Sequence, residues 1–135
     1  AGAAAPGRTY VLKGEQKRLF LGDVRLAVQD GGWEIVFGGP CGEQRIPVGF
    51  GAWREGAARF ETDPFETLGG LVGEQPTAAS GAWTAPDTFR ARIYLHGTTF
   101  RLDLVFTFKA DGTLALATDL FGMGGGKSRL VGTPR

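Results

Sequence analysis

At 135 residues the chain has the length of one domain, long enough to bury a core without a disulfide or metal staple. Its 15 basic and 14 acidic residues nearly cancel, to a formal net charge of +1, and their scatter excludes the basic stripe that a nucleic-acid footprint needs. No apolar run approaches the length of a membrane-crossing helix, and the lone Cys41 excludes an internal disulfide framework.

The chain opens Ala-Gly-Ala-Ala-Ala-Pro-Gly and does not begin with Met. Residues 1–7 are too short and uncharged for an intact signal peptide, and they read as a linker or as the trimmed boundary of a longer or processed polypeptide. Residues 8–135 then form one domain. Tyr10 and Leu12 begin the first strand, and Val24, Leu26 and Val28 alternate along the second. Ile35 and Phe37 follow the turn Asp30-Gly31-Gly32, and Ile46, Val48 and Phe50 alternate towards Trp53. Residues 65–71, after Asp63-Pro64, fit a loop, a short strand or one helical turn equally well.

The stretch from Trp83 to Leu116 carries the strongest signal. Phe89, Ala91, Ile93 and Leu95 share one strand face and Arg90, Arg92, Tyr94 and His96 the other. Phe100, Leu102, Leu104, Phe106 and Phe108 repeat the pattern against Arg101, Asp103, Thr107 and Lys109, and only Val105 breaks it by placing an apolar residue on the wet face. Asp30-Gly31 and Asp111-Gly112 supply the positive φ that tight hairpins demand, and most of the 23 glycines fall between the alternating runs. The prediction is an all-β fold: a single antiparallel β-barrel of about eight strands, with a two-sheet β-sandwich as the alternative. Gly-Ala-Trp occurs twice, at 51–53 and 81–83, and reads as repeated turn chemistry rather than an internal repeat.

Candidate chemistries fall away one by one. Residues 121–128, F-G-M-G-G-G-K-S, resemble a phosphate-binding loop, but the required first glycine is Phe121 and no helix can follow Lys127 in the few residues left. The segment reads as a flexible strand connection. The sole His96 lies at a predicted turn without a second ligand nearby, so neither a metal nor a cofactor is expected. Cys41, in a Gly/Pro turn far from His96, is a buried small hydrophobe, a free thiol or an intermolecular link rather than a catalytic thiolate. Ser80 and Ser128 begin neither S-x-x-K nor the centre of G-x-S-x-G, and no pair of carboxylates is marked out. No nucleophile is recognisable, and the chain as it stands reads as no enzyme.

Several segments, taken together, resemble a known family. They are G-R-T-Y-V-L from Gly7, V-R-L-A-V in the second strand, P-V-G-F-G-A-W at 47–53, A-A-S-G-A-W-T-A-P-D-T-F at 78–89, F-R-L-D-L-V-F-T-F-K-A-D-G at 100–112 and L-V-G-T near the end. Across nearly the whole chain they resemble the C-terminal β-barrel, or lipocalin-like, accessory domain that follows the catalytic domain in many β-lactamase-type (penicillin-binding-protein-like) serine hydrolases. The S-x-x-K, Tyr-x-Asn and Lys-Thr-Gly elements of that catalytic domain have no match here. The resemblance implies a non-catalytic module whose partner is a serine hydrolase domain, in cis or in trans, and whose parent is exported or envelope-associated; the residues themselves leave the compartment unknown.

Two functions of different kinds follow. An accessory module packs against the hydrolase domain, stabilising it or shaping access to its active site, and needs an exposed aromatic patch rimmed by charge; Trp33, Trp53, Trp83 and Phe121 are the docking candidates. A tryptophan at a strand end is more often a barrel plug, and that alternative stands for each. The other function is a lipocalin-like carrier of one small apolar ligand, with residues 64–71 as lid, which requires an underfilled interior that the many large inward side chains argue against.

Overall fold

The computed structural model of the chain describes residues 7–14, 21–29, 32–39, 42–59, 74–95, 101–121 and 126–135. Cys41, His96, the Asp30-Gly31 turn and the 64–71 segment lie outside the described residues.

Ten strands follow one another: β1 (Tyr10–Lys13), β2 (Asp23–Gln29), β3 (Gly32–Gly39), β4 (Gly42–Phe50), β5 (Arg54–Arg59), β6 (Glu74–Ala85), β7 (Thr88–Leu95), β8 (Arg101–Phe108), β9 (Leu114–Phe121) and β10 (Lys127–Pro134). They form one sheet in the order β4-β3-β2-β1-β10-β9-β8-β7-β6-β5, and β4 also pairs with β6. That last pairing closes nine strands into a barrel and leaves β5 as an extra strand alongside β6, in keeping with the single barrel of about eight strands that the sequence predicts. Every other ladder is antiparallel, but the seam is parallel and short, Gly49 opposite Ser80 and Phe50 opposite Gly81.

Alternation decides what fills the interior. Along β7 the residues Phe89, Ala91, Ile93 and Leu95 are buried and Arg90, Arg92 and Tyr94 exposed. Along β8 the buried set is Leu102, Leu104, Phe106 and Phe108, and along β9 it is Leu114, Leu116, Thr118 and Leu120. Burial of one face of each strand supplies the main driving force for closure. At one mouth the filling is aromatic. Trp83 lies 5.8 Å from Trp33, 5.4 Å from Phe89 and 5.8 Å from Phe108, ring centroid to centroid, and Phe108 continues to Phe106 at 6.3 Å and Tyr10 at 6.3 Å. Tilted and edge-on rings at such separations gain beyond simple burial. Leu95, Leu102, Leu120 and Leu130 complete the core with aliphatic side chains.

The connection between β8 and β9 is longer than a two-residue hairpin. Lys109 N–H donates to the Thr113 carbonyl at 2.9 Å, and Gly112 N–H to Lys109 at 3.2 Å. Gly112 takes φ +94°, a left-handed conformation that glycine adopts without the steric cost of a side chain. Asp111 Oδ1 accepts from both Thr113 N–H, at 2.9 Å, and Thr113 Oγ1–H, at 2.6 Å. These bonds hold the Asp111 carboxyl below its ordinary pKa, the hydroxyl contributing most. At the tail, Phe121 ends β9 and Lys127 and Ser128 begin β10, so these three residues of the segment 121–128 belong to strands, and residues 122–125 lie outside the described residues.

Candidate functional site

The outer wall over β5–β10 gathers the surface chemistry. Because each strand is in antiparallel register with the next, its outward side chains form straight rows across the strands. One row reads Glu55, Ala78, Tyr94, Arg101, Phe121; the next, Ser80, Arg92, Asp103, Asp119, Lys127; the third, Ala82, Arg90, Val105, Ala117, Arg129. Small residues on β6 lower the surface between the larger side chains on either side.

Of the four predicted docking residues, the structure brings two to this wall. Trp53, at the corner between β4 and β5, is 52% exposed and stands edge-on to Tyr94, itself 38% exposed, with ring centroids 5.2 Å apart. Ala78 and Glu55 line the hollow beside this pair. Phe121 is 40% exposed at the far end of the same row, and the Arg101 guanidinium sits 4.0 Å above its ring centroid. A cation over an aromatic face holds both groups in place while leaving them open to solvent. Trp33 and Trp83 go elsewhere. Both are half-buried and pack on the core at the aromatic mouth, because Trp33 shares the inward face of β3 with Ile35 and Phe37, and Trp83 is registered opposite inward-facing Phe89. They plug the barrel and do not belong to the outer wall. Tyr94 was not among the predicted residues, although its place on the wet face of β7 marks it.

Charge on the wall is organised around one fork. Arg92 Nε donates to Asp103 Oδ1 at 3.1 Å and its terminal nitrogen to Oδ2 at 3.3 Å, a bidentate pair that raises the Arg92 pKa through the Asp103 carboxylate. Arg101 Nε approaches Asp103 Oδ1 at 3.4 Å without forming a hydrogen bond, its guanidinium lying over Phe121 instead. Lys127 Nζ is 3.8 Å from Asp119. An open depression of about 400 Å³ runs from Gly51 and Trp53 over Ser80 and Ala82 to Arg90. A second, about 320 Å³, continues from Arg90 over Val105 and Ala117 to Arg129.

Among the described residues no three His, Cys, Asp or Glu side chains come together to hold a metal. The described residues include no helix long and apolar enough to cross a membrane. The wall presents exposed rings and arginine guanidinium groups over a floor of small residues. No protein-family model matches the sequence, and no match was found among curated proteins.

Proposed function

We propose that this barrel is a non-catalytic interaction module that docks through its outer β5–β9 wall onto a β-lactamase-type serine hydrolase domain, stabilising that domain or shaping access to its active site. The observation that carries the docking reading is the exposed Trp53–Tyr94 pair, in line with Phe121 under Arg101 on one wall. Interfaces are enriched in aromatic residues and arginine, and solvent-exposed rings gathered on one face favour a partner. The choice of a serine hydrolase comes from the family resemblance of the segments at 47–53, 78–89 and 100–112. Aromatic rings packed through one mouth of the barrel weigh against a carrier of small apolar ligands.

The test is the intact mass of the naturally produced polypeptide, together with capture of β-lactam-reactive protein on immobilised barrel. A larger parent carrying S-x-x-K upstream, or a captured hydrolase that Trp53→Ala releases, supports the reading. A natural product of this chain alone that captures no such protein refutes it.

A further inference from the structure

Arg90 and Arg129 stand apart from the other basic residues on the wall. The outward side chains of β7–β10 include Arg90, Arg92, Arg101, Lys127 and Arg129 against only Asp103 and Asp119. Both carboxylates are already engaged, Asp103 by Arg92 and Arg101, Asp119 by Lys127. Among the described residues, Arg90 and Arg129 have no carboxylate partner, and both are exposed. They occupy the same cross-strand row, separated by Val105 and Ala117, and together they wall the second depression. Its floor is apolar where the sequence alternation calls for polar residues. Two free guanidinium groups across an apolar floor form a positively charged trough, and such a trough is complementary to negative charge.

The spacing narrows the ligand further. Three strand steps of about 4.8 Å place the Arg90 and Arg129 Cα atoms about 14 Å apart across the wall. In an extended peptide, residues four apart lie on the same face and are separated by about 13 Å. Two carboxylates at that separation meet the two guanidinium forks, and the residue midway between them faces Val105 and Ala117. We infer that the trough between Arg90 and Arg129 binds an extended acidic segment of a partner protein, of the pattern acidic-x-apolar-x-acidic. This rests on the reading of the outer wall as a docking face and adds the chemistry of what docks there. Each guanidinium takes one carboxylate in a two-bond fork, and the central apolar side chain covers the floor.

The test uses the whole chain and a capped synthetic peptide, Glu-Ser-Leu-Ser-Glu, followed through the backbone amide resonances of Val105 and Ala117 at low salt. The expected result is saturable shifts in the millimolar range or tighter, at least tenfold weaker for the Gln-Ser-Leu-Ser-Gln peptide and for one whose acidic residues are three apart. Arg90→Gln and Arg129→Gln should each weaken binding several-fold with unchanged circular dichroism. The inference is overturned by equal binding of the Glu and Gln peptides, by indifference to both arginine substitutions, or by no saturable shift. It is also overturned if oligogalacturonate, an acidic saccharide probe, shifts the same amides at lower concentration than the peptide. Acidic-peptide binding without hydrolase capture would leave the trough standing and remove the hydrolase; capture that survives Arg90→Gln with Arg129→Gln would do the reverse.

Discussion

Replacing Trp83 and Trp53 by alanine, one at a time, separates a tryptophan that fills the barrel from one that decorates it. Trp83 contacts Trp33, Phe89 and Phe108 at centroid separations of 5.4 to 5.8 Å. Removing its indole forfeits about 150 Å² of buried apolar surface, about 4 kcal/mol at about 25 cal/mol per Å². The mouth position allows water to enter the space left behind, so the cost should settle at about 3 kcal/mol. For a domain of this length that lowers Tm by about 10 °C. Trp53 is 52% exposed and, among the described residues, has Tyr94 as its ring partner, so its removal should cost no more than about 1 kcal/mol. Urea unfolding followed by circular dichroism reads both values, with an unchanged m value showing that the denatured state has not shifted. Equal losses for the two variants, or a larger loss at Trp53, would refute the assignment of Trp83 to the core and Trp53 to the surface.

Three further outcomes follow from local geometry. Gly81→Ala places a Cβ 2.7 Å from the Phe89 ring and 2.9 Å from the Arg90 carbonyl, beside the closing seam, and should lower stability by about 1–3 kcal/mol; a urea midpoint equal to that of the parent would contradict it. The Thr77 hydroxyl is fully buried and has no hydrogen-bond partner among the described residues, so Thr77→Val should be neutral or stabilise by about 1 kcal/mol, and a clear loss of Tm would show that the hydroxyl is in use. The Asp111 carboxyl, its pKa lowered by Thr113, contributes stability that is fully present above its unfolded pKa and is lost as pH falls through the lower folded value. Carbon-13 titration should therefore find its midpoint below that of an ordinary aspartate, and Thr113→Val should raise it; identical midpoints would exclude the bond.

Much of the barrel is legible in the sequence because β7 and β8 alternate between a dry and a wet face, with Val105 the one break. Phe121 is readable too: it follows Leu116 and Leu120 at odd spacing and so falls outward. Trp33 shares the parity of Ile35 and Phe37, which places it inside, whereas Trp53 sits at a corner where alternation gives no direction. The parallel seam was not readable. It consists of two residue pairs between β4 and β6, strands separated in sequence by β5, and no local pattern encodes so short a long-range pairing. Val105 was the visible trace of the trough, since an apolar residue on an otherwise wet face needs a reason, but the pairing of Arg90 with Arg129 across it requires the register of four strands.

The parallel seam and the β1–β2 ladder each consist of two residue pairs, and local openings begin where few contacts must break, so the seam is one of two short joints at which the barrel can open. Trp53 projects from the corner just after β4, whereas Tyr94 and Arg90 belong to β7 on the other side of β6. A partner seated on Trp53, Tyr94 and Arg90 therefore spans the joint like a clasp. At a concentration a hundredfold above its dissociation constant it would add about 2.7 kcal/mol to the closed form. Docking there would make binding and closure one linked equilibrium, and amide exchange at Ser80 and Gly81 is where the linkage would be heard.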